Sequence, residues 1–378
     1  MARVWNQSLA WAMAAMWPML AVAAPLAQKA NFDDLARRAA AALDTRPAEA
    51  AALYERALAL RPGWAEGWMN RGAALYQLSR FGEARDALRK CVALAPGRGT
   101  PRGFLGMAEY ELGEYGPALA DILQGESIGL ADQPAFLAAV HYRGALIYLR
   151  TGDYARALEQ IRPLARYGVE SAEAVEALGL SVLNLRFVPE TLPPDRRPLV
   201  DLAGRAAWAF LGERPQESGP LFEQLAAQFP DEPGVHYMEG VFLMDHNAAA
   251  AEEEFRKELR IAPAHVLARV QLAILLSKDG DAASAIQLAG EAVELAPSEA
   301  LCQVTLGRAL LDAGRIAEAI AALEKGLKLA PRAARTHFYL AQAYRRAGRD
   351  ADARKESAEW DRLHAEQEPV ELNAGPKP

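Results

Sequence analysis

Apolar and small side chains recur three or four positions apart in short blocks, which is the spacing of one helix face. One block contains Trp68, Gly72 and Leu75, and the next contains Phe81 and Leu88. No segment alternates apolar and polar residues with the two-residue period of a strand over more than a few positions. The pattern therefore predicts an all-α chain of short amphipathic helices arranged in consecutive pairs.

Prolines separate these blocks at a nearly constant interval. Pro62 and Pro96 lie 34 residues apart, and a later series is spaced by 33, 34 and 34 residues, at Pro230, Pro263, Pro297 and Pro331. Because proline lacks a backbone donor and restricts the residue before it, each one is expected to end a helix. A period of this length that contains two helices indicates a repeat protein.

Small residues at fixed positions of the period indicate how the two helices pack. Glycine stands near the middle of the first helix at Gly72, Gly106 and Gly307, where only a hydrogen or methyl side chain lets two helix axes approach closely. Other glycines follow the first helix, where a left-handed residue commonly ends it. These are Gly152, Gly280, Gly314 and Gly348.

This arrangement of residues resembles the tetratricopeptide repeat. Three segments carry the resemblance: Trp68-x-x-Arg71-Gly72-x-x-Leu75 with Phe81, Ala84, Leu88 and Pro96; Leu105-Gly106 with Gly113, Tyr115, Ala118 and Ile122; and Leu306-Gly307 with Gly314, Ile316, Ala319, Leu323 and Pro331. The first departs from the family pattern by placing arginine before its glycine. The resemblance covers roughly residues 31–367 and implies a right-handed superhelical solenoid of about nine helix-turn-helix repeats.

The period also assigns the boundaries of the repeats. The expected units are a degenerate one at 31–64, then 65–98, 99–132, about 133–170, 199–232, 233–265, 266–299, 300–333 and 334–367. The unit at 133–170 is four residues longer than the 34-residue period. A helix around Leu178-Gly179 is expected to lack a partner, because the proline-rich segment 186–198 follows it. This register leaves no room for a second domain.

Charge and motifs restrict the function. The chain has a net charge of −7, which argues against non-specific nucleic-acid binding because that requires a basic surface. It contains no phosphate-loop, H-E-x-x-H or C-x-x-C motif, so we expect no enzyme, no catalytic residue and no cofactor. The proline-rich segment 189–198 is the only place where a non-repeat catalytic site is expected to fit.

Neither the histidines nor the cysteines predict a site. The best metal candidate combines His236 with Asp245, His246 and Glu252–Glu254, but the two histidines are ten residues apart rather than three or four. We therefore expect no metal. Cys91 and Cys302 lie 211 positions apart, about six repeats along a solenoid, and are not expected to form a disulfide.

The first residues resemble a secretory signal. Arg3 precedes an apolar run from Leu9 to Val22, which ends in the small-residue site Ala21-Val22-Ala23. The run contains Pro18 and is shorter than the roughly 20 residues that span a bilayer. The sequence predicts a signal peptide at 1–23, export to the periplasm or cell surface of a bacterium, and no stable membrane span after cleavage. An uncleaved anchor and a buried cap helix are the alternatives. The tail 368–378 is predicted to be disordered.

The resemblance also suggests a binding surface, because the first helices of tetratricopeptide repeats line a concave groove. Aromatic and methionine side chains, which often carry the binding energy of interfaces, are expected there at Met69, Tyr76, Met107, Tyr110, Tyr148, Tyr237, Met244 and Phe338. Tyr76, Tyr110 and Tyr148 are expected to face solvent in the free protein. The alternative is that these side chains pack between neighbouring first helices.

These observations predict a non-catalytic protein–protein interaction scaffold. Its expected partner is a protein or peptide segment, with no nucleic acid, and the sequence does not identify it. The alternative function is a binding module for an extended polymer, such as a polysaccharide during export or assembly, because aromatic-lined grooves also suit sugars.

Export is testable by mass spectrometry. If the apolar run and the Ala21-Val22-Ala23 site are read by a signal peptidase, protein from the native host will begin near Ala24. Intact-mass measurement of that protein checks the new N-terminus. A soluble cytoplasmic species that begins at Met1 or Ala2 would contradict the prediction.

Overall fold

The computed structural model describes residues 26–131, 133–166 and 168–367, and every regular element in these residues is helical. They form nineteen α-helices and one short 3₁₀ turn. The predicted signal peptide (1–23) and the predicted tail (368–378) lie outside the described residues. The all-α class is confirmed, and its helices pack in consecutive pairs.

The chain divides into two compact units, Met1–Leu221 and Phe222–Pro378. The helices of the first unit are α1 (Leu26–Ala42), α2 (Pro47–Leu60), α3 (Ala65–Gln77), α4 (Phe81–Leu94), α5 (Gly99–Glu111), α6 (Tyr115–Ile128), α7 (Pro134–Thr151), α8 (Tyr154–Arg166), α9 (Ala172–Val182) and α10 (Arg197–Leu211). They pair as five hairpins, from α1 with α2 to α9 with α10.

The helix α11 (Pro215–Gln228) contains the boundary between the two units. The remaining helices of the second unit are α12 (Val235–Leu243), α13 (Ala248–Ile261), α14 (Val266–Lys278), α15 (Ala282–Leu295), α16 (Ala300–Asp312), α17 (Ile316–Leu329), α18 (Ala334–Arg346) and α19 (Asp350–Gln367). They form four hairpins, from α12 with α13 to α18 with α19. Both units are therefore built from the same element.

Small residues hold the paired helices together where the sequence predicts them. A Cβ atom added to Gly307 would lie 2.5 Å from Cγ of Leu323, and one added to Gly72 would lie 2.6 Å from Cγ of Leu88. Carbon atoms in favourable contact are about 3.5–4.0 Å apart, so neither site has room for a side chain. The predicted crossing positions are confirmed.

The predicted ends of the helices are also confirmed. Each of α2, α4, α13, α15 and α17 ends two residues before the proline that closes its repeat. The glycines after the first helices have positive φ, at +75° for Gly152, +88° for Gly280, +74° for Gly314 and +71° for Gly348. These left-handed conformations turn the chain into the second helix, as expected.

The long repeat places its extra residues in its first helix. The helix α7 has 18 residues, whereas α3 and α5 have 13 each. The addition lengthens α7 by more than one turn, because a turn takes about 3.6 residues.

The prediction that the helix around Gly179 has no partner is wrong. That helix, α9, packs against α10, and Cβ atoms added to Gly179 and Gly204 would lie 2.1 Å and 2.2 Å from the carbonyl oxygens of Val200 and Val175. The proline-rich residues form a connecting loop with a 3₁₀ turn at Pro189–Thr191 rather than preventing the hairpin. The helix α10 is therefore the second helix of this pair, not the first helix of a unit at 199–232.

The two cysteines are free, as predicted, and both are buried. Burial raises the pKa of the Cys91 thiol to about 11. This thiol is therefore protonated near neutral pH and acts as a small apolar side chain in the core.

The crossing glycines give a stability prediction. Replacing Gly307 with leucine places a side chain against Leu323 and should reduce the free energy of unfolding by about 1–3 kcal/mol. Gly290, which lies inside α15 with no atom within 4 Å of an added Cβ, is the matched control. Gly290→Leu should cause no loss, because leucine favours the helix over glycine. Urea unfolding compares the two variants, and equal stability would show that Gly307 is not a crossing point.

Candidate functional site

The first helices of the hairpins form a continuous layer within each unit. In the first unit α3 contacts α5, α5 contacts α7 and α7 contacts α9. In the second unit α14 contacts α16, and α16 contacts α18. A residue at one repeat position therefore has an equivalent on the neighbouring first helix. Equivalent side chains on this layer can form one extended surface for a partner.

The predicted site residues do not share one environment. Met69, Tyr76, Met107 and Tyr148 are buried, and Tyr110, Tyr237 and Met244 are partly buried. Only Phe338 is exposed. The expectation that Tyr76 and Tyr148 face solvent is wrong, because both side chains are buried.

Tyr76 belongs to a polar network that links three first helices. Arg143 of α7 donates hydrogen bonds to the Tyr76 hydroxyl at 2.7 Å and to Oε1 of Glu111 at 2.6 Å. The Tyr76 hydroxyl donates to the same oxygen of Glu111, on α5, at 3.1 Å. Burial raises the pKa of Tyr76, so the hydroxyl keeps its proton and can donate. The network holds α3, α5 and α7 together and uses the tyrosine for packing.

Tyr110 lies beside a second arginine, which the proline-rich loop reaches. Arg150 donates to the Tyr110 hydroxyl at 3.4 Å, and its guanidinium lies 4.8 Å from the centre of the Tyr115 ring. Nη2 of Arg150 also lies 3.8 Å from Oε2 of Glu190, in the 3₁₀ turn. The loop between α9 and α10 therefore approaches α7 at the arginine that bonds Tyr110.

Exposed apolar side chains lie on the first helices of the second unit instead. Leu267 is 39% exposed, Leu301 is 46% exposed and Phe338 is 39% exposed. Leu267 and Leu301 are the second residues of α14 and α16 and lie 34 positions apart, so they occupy the same place in successive repeats. We call these three residues the apolar row.

On α18 a charged residue takes the place that leucine occupies on α14 and α16. Arg335, the second residue of α18, is the equivalent of Leu301 and is exposed, and Phe338 lies one turn after it. Arg308 of α16 adds a second cation, which lies 3.7 Å from Asp312 on its own helix and 5.8 Å from the centre of the Tyr339 ring on α18. The predicted groove residues did not include Leu267 and Leu301, because only aromatic and methionine side chains were expected to carry binding energy. The 34-residue spacing of the two leucines was a usable signal.

One group of residues in the second unit has the composition of a metal site. Ligand atoms of His236, Glu239 and Glu254 all lie within 4.8 Å of one another. Of the set considered in the sequence, the structure brings His236 and Glu254 together and adds Glu239, one turn after His236 on α12. Burial and the neighbouring Glu254 carboxylate raise the pKa of Glu239 to about 7.

Comparison with known sequences supports the repeat assignment. Sequence models of the tetratricopeptide repeat match residues 65–98, 142–186 and 304–364. No curated protein is significantly similar to this chain. Among residues 26–367, apart from 132 and 167, none of the helices combines the length and apolar character of a membrane span.

Similar solved structures include three forms of MamA. MamA 41-end from Desulfovibrio magneticus RS-1 is 19% identical, covers 47% of this chain and 100% of its own, and has a TM-score of 0.41. A MamA RS-1 ArsTM double mutant is 20% identical over 47% of this chain and 99% of its own, with a TM-score of 0.41. MamA AMB-1 is 22% identical over 43% and 96%, with a TM-score of 0.38. Similarity at this level says nothing about function.

The burial of Tyr76 predicts a loss of stability on substitution. Tyr76→Ala removes a buried ring and should cost about 3–5 kcal/mol, as large aromatic-to-alanine changes do. Tyr76→Phe keeps the ring but loses the hydroxyl of the network and should cost about 1–3 kcal/mol. Tyr110→Ala, at a partly exposed ring, is the control and should cost less than Tyr76→Ala. Urea unfolding of the three variants checks this order, and a neutral Tyr76→Ala would contradict the burial.

Proposed function

Because the chain contains tetratricopeptide repeats, we propose that it is a non-catalytic protein–protein interaction scaffold that is exported to the bacterial envelope. Its binding surface is the first-helix layer of the second unit, and its partner supplies an extended or helical peptide segment. The observation that carries this proposal is the apolar row of Leu267, Leu301 and Phe338.

The row has the features of a peptide-binding surface. Leu267 and Leu301 occupy the same place on successive first helices, so one segment that crosses these helices can contact both. Phe338 lies on the next first helix, with its ring centre 5.6 Å from that of Trp360 on α19. Apolar side chains exposed together, rather than singly, mark interaction surfaces. Repeat proteins use such extended surfaces for binding.

The charges beside the row indicate the chemistry of the partner. Arg335 replaces leucine at the end of the row, and Arg308 lies on the helix before it. A segment with two or three apolar residues and an acidic residue at one end complements this order. Pairing its carboxylate with Arg335 gives the segment a direction, because electrostatic complementarity fixes register more than affinity.

A peptide partner fits the row better than a polysaccharide does. Sugars bind proteins through aromatic faces and polar groups, but two of the three residues in the row are leucines. Most of the aromatic residues predicted for the groove are buried or partly buried, and Phe338 is the exposed member. Leucine and phenylalanine suit the apolar side chains of a peptide.

Export rests on the first residues of the sequence. The apolar run Leu9–Val22 and the Ala21-Val22-Ala23 site support a cleaved signal and a working place in the periplasm or at the cell surface. A binding scaffold needs no cofactor for this role, and the sequence contains no phosphate-loop, H-E-x-x-H or C-x-x-C motif.

The experiment compares two equally exposed leucines, one on a first helix and one on a second helix. Leu301 on the first helix α16 and Leu295 at the end of the second helix α15 are each 46% exposed. Crosslinking in the native envelope identifies the partner, and a peptide from it is then titrated against both variants. Leu301→Asp should weaken binding by about fivefold or more, which corresponds to roughly 1 kcal/mol. Leu295→Asp should leave Kd unchanged.

The outcomes separate the alternatives. Equal weakening by both variants would show a non-specific effect of charge, and no weakening by Leu301→Asp would place the binding surface elsewhere. A glycan array probed with the same protein tests the polymer alternative. Binding to a polysaccharide that survives Leu301→Asp would contradict the proposed function.

A further inference from the structure

A buried histidine connects α12 to α13, the two helices of the first hairpin in the second unit. His236 lies on α12, and its Nδ1 atom is 2.6 Å from Oε2 of Glu254 on α13. Its Nε2 atom is 2.9 Å from the backbone carbonyl oxygen of Pro230. Because a carbonyl oxygen only accepts, Nε2 carries a proton, and the other nitrogen faces the carboxylate.

The same pair recurs three repeats later. His337 of α18 lies with Nδ1 at 2.6 Å from Oε2 of Glu356, and with Nε2 at 3.1 Å from the carbonyl oxygen of Pro331. Each histidine follows its proline by six positions. The histidine–glutamate pair is thus a packing element of this chain, and the His337 copy shows what it looks like when it serves packing alone.

The His236 copy differs by one added carboxylate. Glu239 lies one turn after His236, and its ligand atom is within 4.8 Å of those of His236 and Glu254. The equivalent residue in the other copy is Leu340, which is buried. At the equivalent place the other copy packs with leucine, and two neighbouring carboxylates repel each other unless one keeps its proton or a positive charge lies between them.

The ligand chemistry fits a metal ion. An imidazole nitrogen with two carboxylate oxygens suits first-row transition metals, whereas Mg²⁺ and Ca²⁺ prefer oxygen ligands alone. The bond from Nε2 of His236 to the Pro230 carbonyl leaves Nδ1 as the ligand atom and fixes the ring, as outer partners of metal-bound histidines commonly do.

A metal ion must displace the proton that joins Nδ1 of His236 to Oε2 of Glu254, and it must also displace Lys257. The ammonium of Lys257 lies 2.5 Å from Oε1 of Glu254 and 3.5 Å from Oε1 of Glu253. Glu253 is exposed, so the lysine keeps an ion-pair partner when it leaves Glu254. The change needs only a side-chain movement at the surface.

We propose that Nδ1 of His236 and the carboxylates of Glu239 and Glu254 form a binding site for one divalent transition-metal ion. The ion joins α12 to α13 and neutralises the two carboxylates. Three protein ligands leave further coordination positions for water. The site is separate from the apolar row and does not depend on the proposed function.

Metal titration of the full chain, free of any affinity tag, tests the site. The probes are Zn²⁺, followed by calorimetry, and Co²⁺, followed by its visible absorption, with Mg²⁺ as the oxygen-preferring comparison. We expect one Zn²⁺ per chain, a Co²⁺ spectrum that Zn²⁺ displaces, a rise in Tm with Zn²⁺ and no comparable effect of Mg²⁺.

Two variants and two controls assign the ligands. Glu239→Leu recreates the arrangement at His337, and Glu239→Gln keeps the shape of the side chain; each should weaken Zn²⁺ binding at least about tenfold. Glu252→Gln removes a carboxylate that pairs with Arg256 on the same helix, and Glu356→Gln alters the equivalent pair at His337. Both controls should bind Zn²⁺ as the unaltered chain does.

Three results would refute the metal site, provided that the variants fold. The Glu239 variants are expected to fold, because they remove one of two repelling carboxylates, and circular dichroism in EDTA verifies this. Absence of stoichiometric Zn²⁺ binding by the unaltered chain would refute the site. Binding that is unchanged in folded Glu239→Leu, or lost equally in Glu356→Gln, would also refute it.

Discussion

The close approach of two consecutive helices at a small residue is the contact on which the structure depends. Gly307 against Leu323 and Gly72 against Leu88 leave no space for a Cβ atom. The contact persists at Gly179 even though a long proline-rich loop separates α9 from α10. Helix pairing is thus set by the small residue and the dispersion contacts it permits, while the connection between the helices is free to vary.

A second constraint acts at the junction between repeats, where the carbonyl group of the closing proline lies outside both helices and needs a donor. The residue six positions after the closing proline supplies one: Nε1 of Trp68 donates to the Pro62 carbonyl at 2.8 Å, and Nε2 atoms of His236 and His337 face the equivalent carbonyls. Histidine adds what tryptophan lacks, a second nitrogen that pairs with a glutamate on the following helix. A packing requirement has thereby created the setting in which one more carboxylate, Glu239, makes a cation site.

The two units use the same helical hairpin differently. In the first unit the Tyr76, Glu111 and Arg143 network and the loop bearing Glu190 occupy the first-helix layer. In the second unit this layer leaves apolar side chains in water. Equivalent positions even differ within it, since Val304 is buried and Phe338, 34 residues later, is exposed. A candidate binding surface therefore depends on what covers each first helix, not on the repeat pattern alone.

The sequence by itself determined the helix class, the helix ends before prolines, the left-handed glycines and the crossing points at Gly72 and Gly307. These features are local or strictly periodic, so residue type and spacing specify them. Only the tertiary structure decided that Tyr76 and Tyr148 are buried, that α9 has a partner, and that Glu239 lies beside Glu254. Each of these depends on which helix or loop covers a side chain. The residues that meet lie on different helices, and the spacing of residues along the chain does not specify how those helices are placed. Burial and charge clustering are properties of the packed layer, which is why they could not be read along one helix.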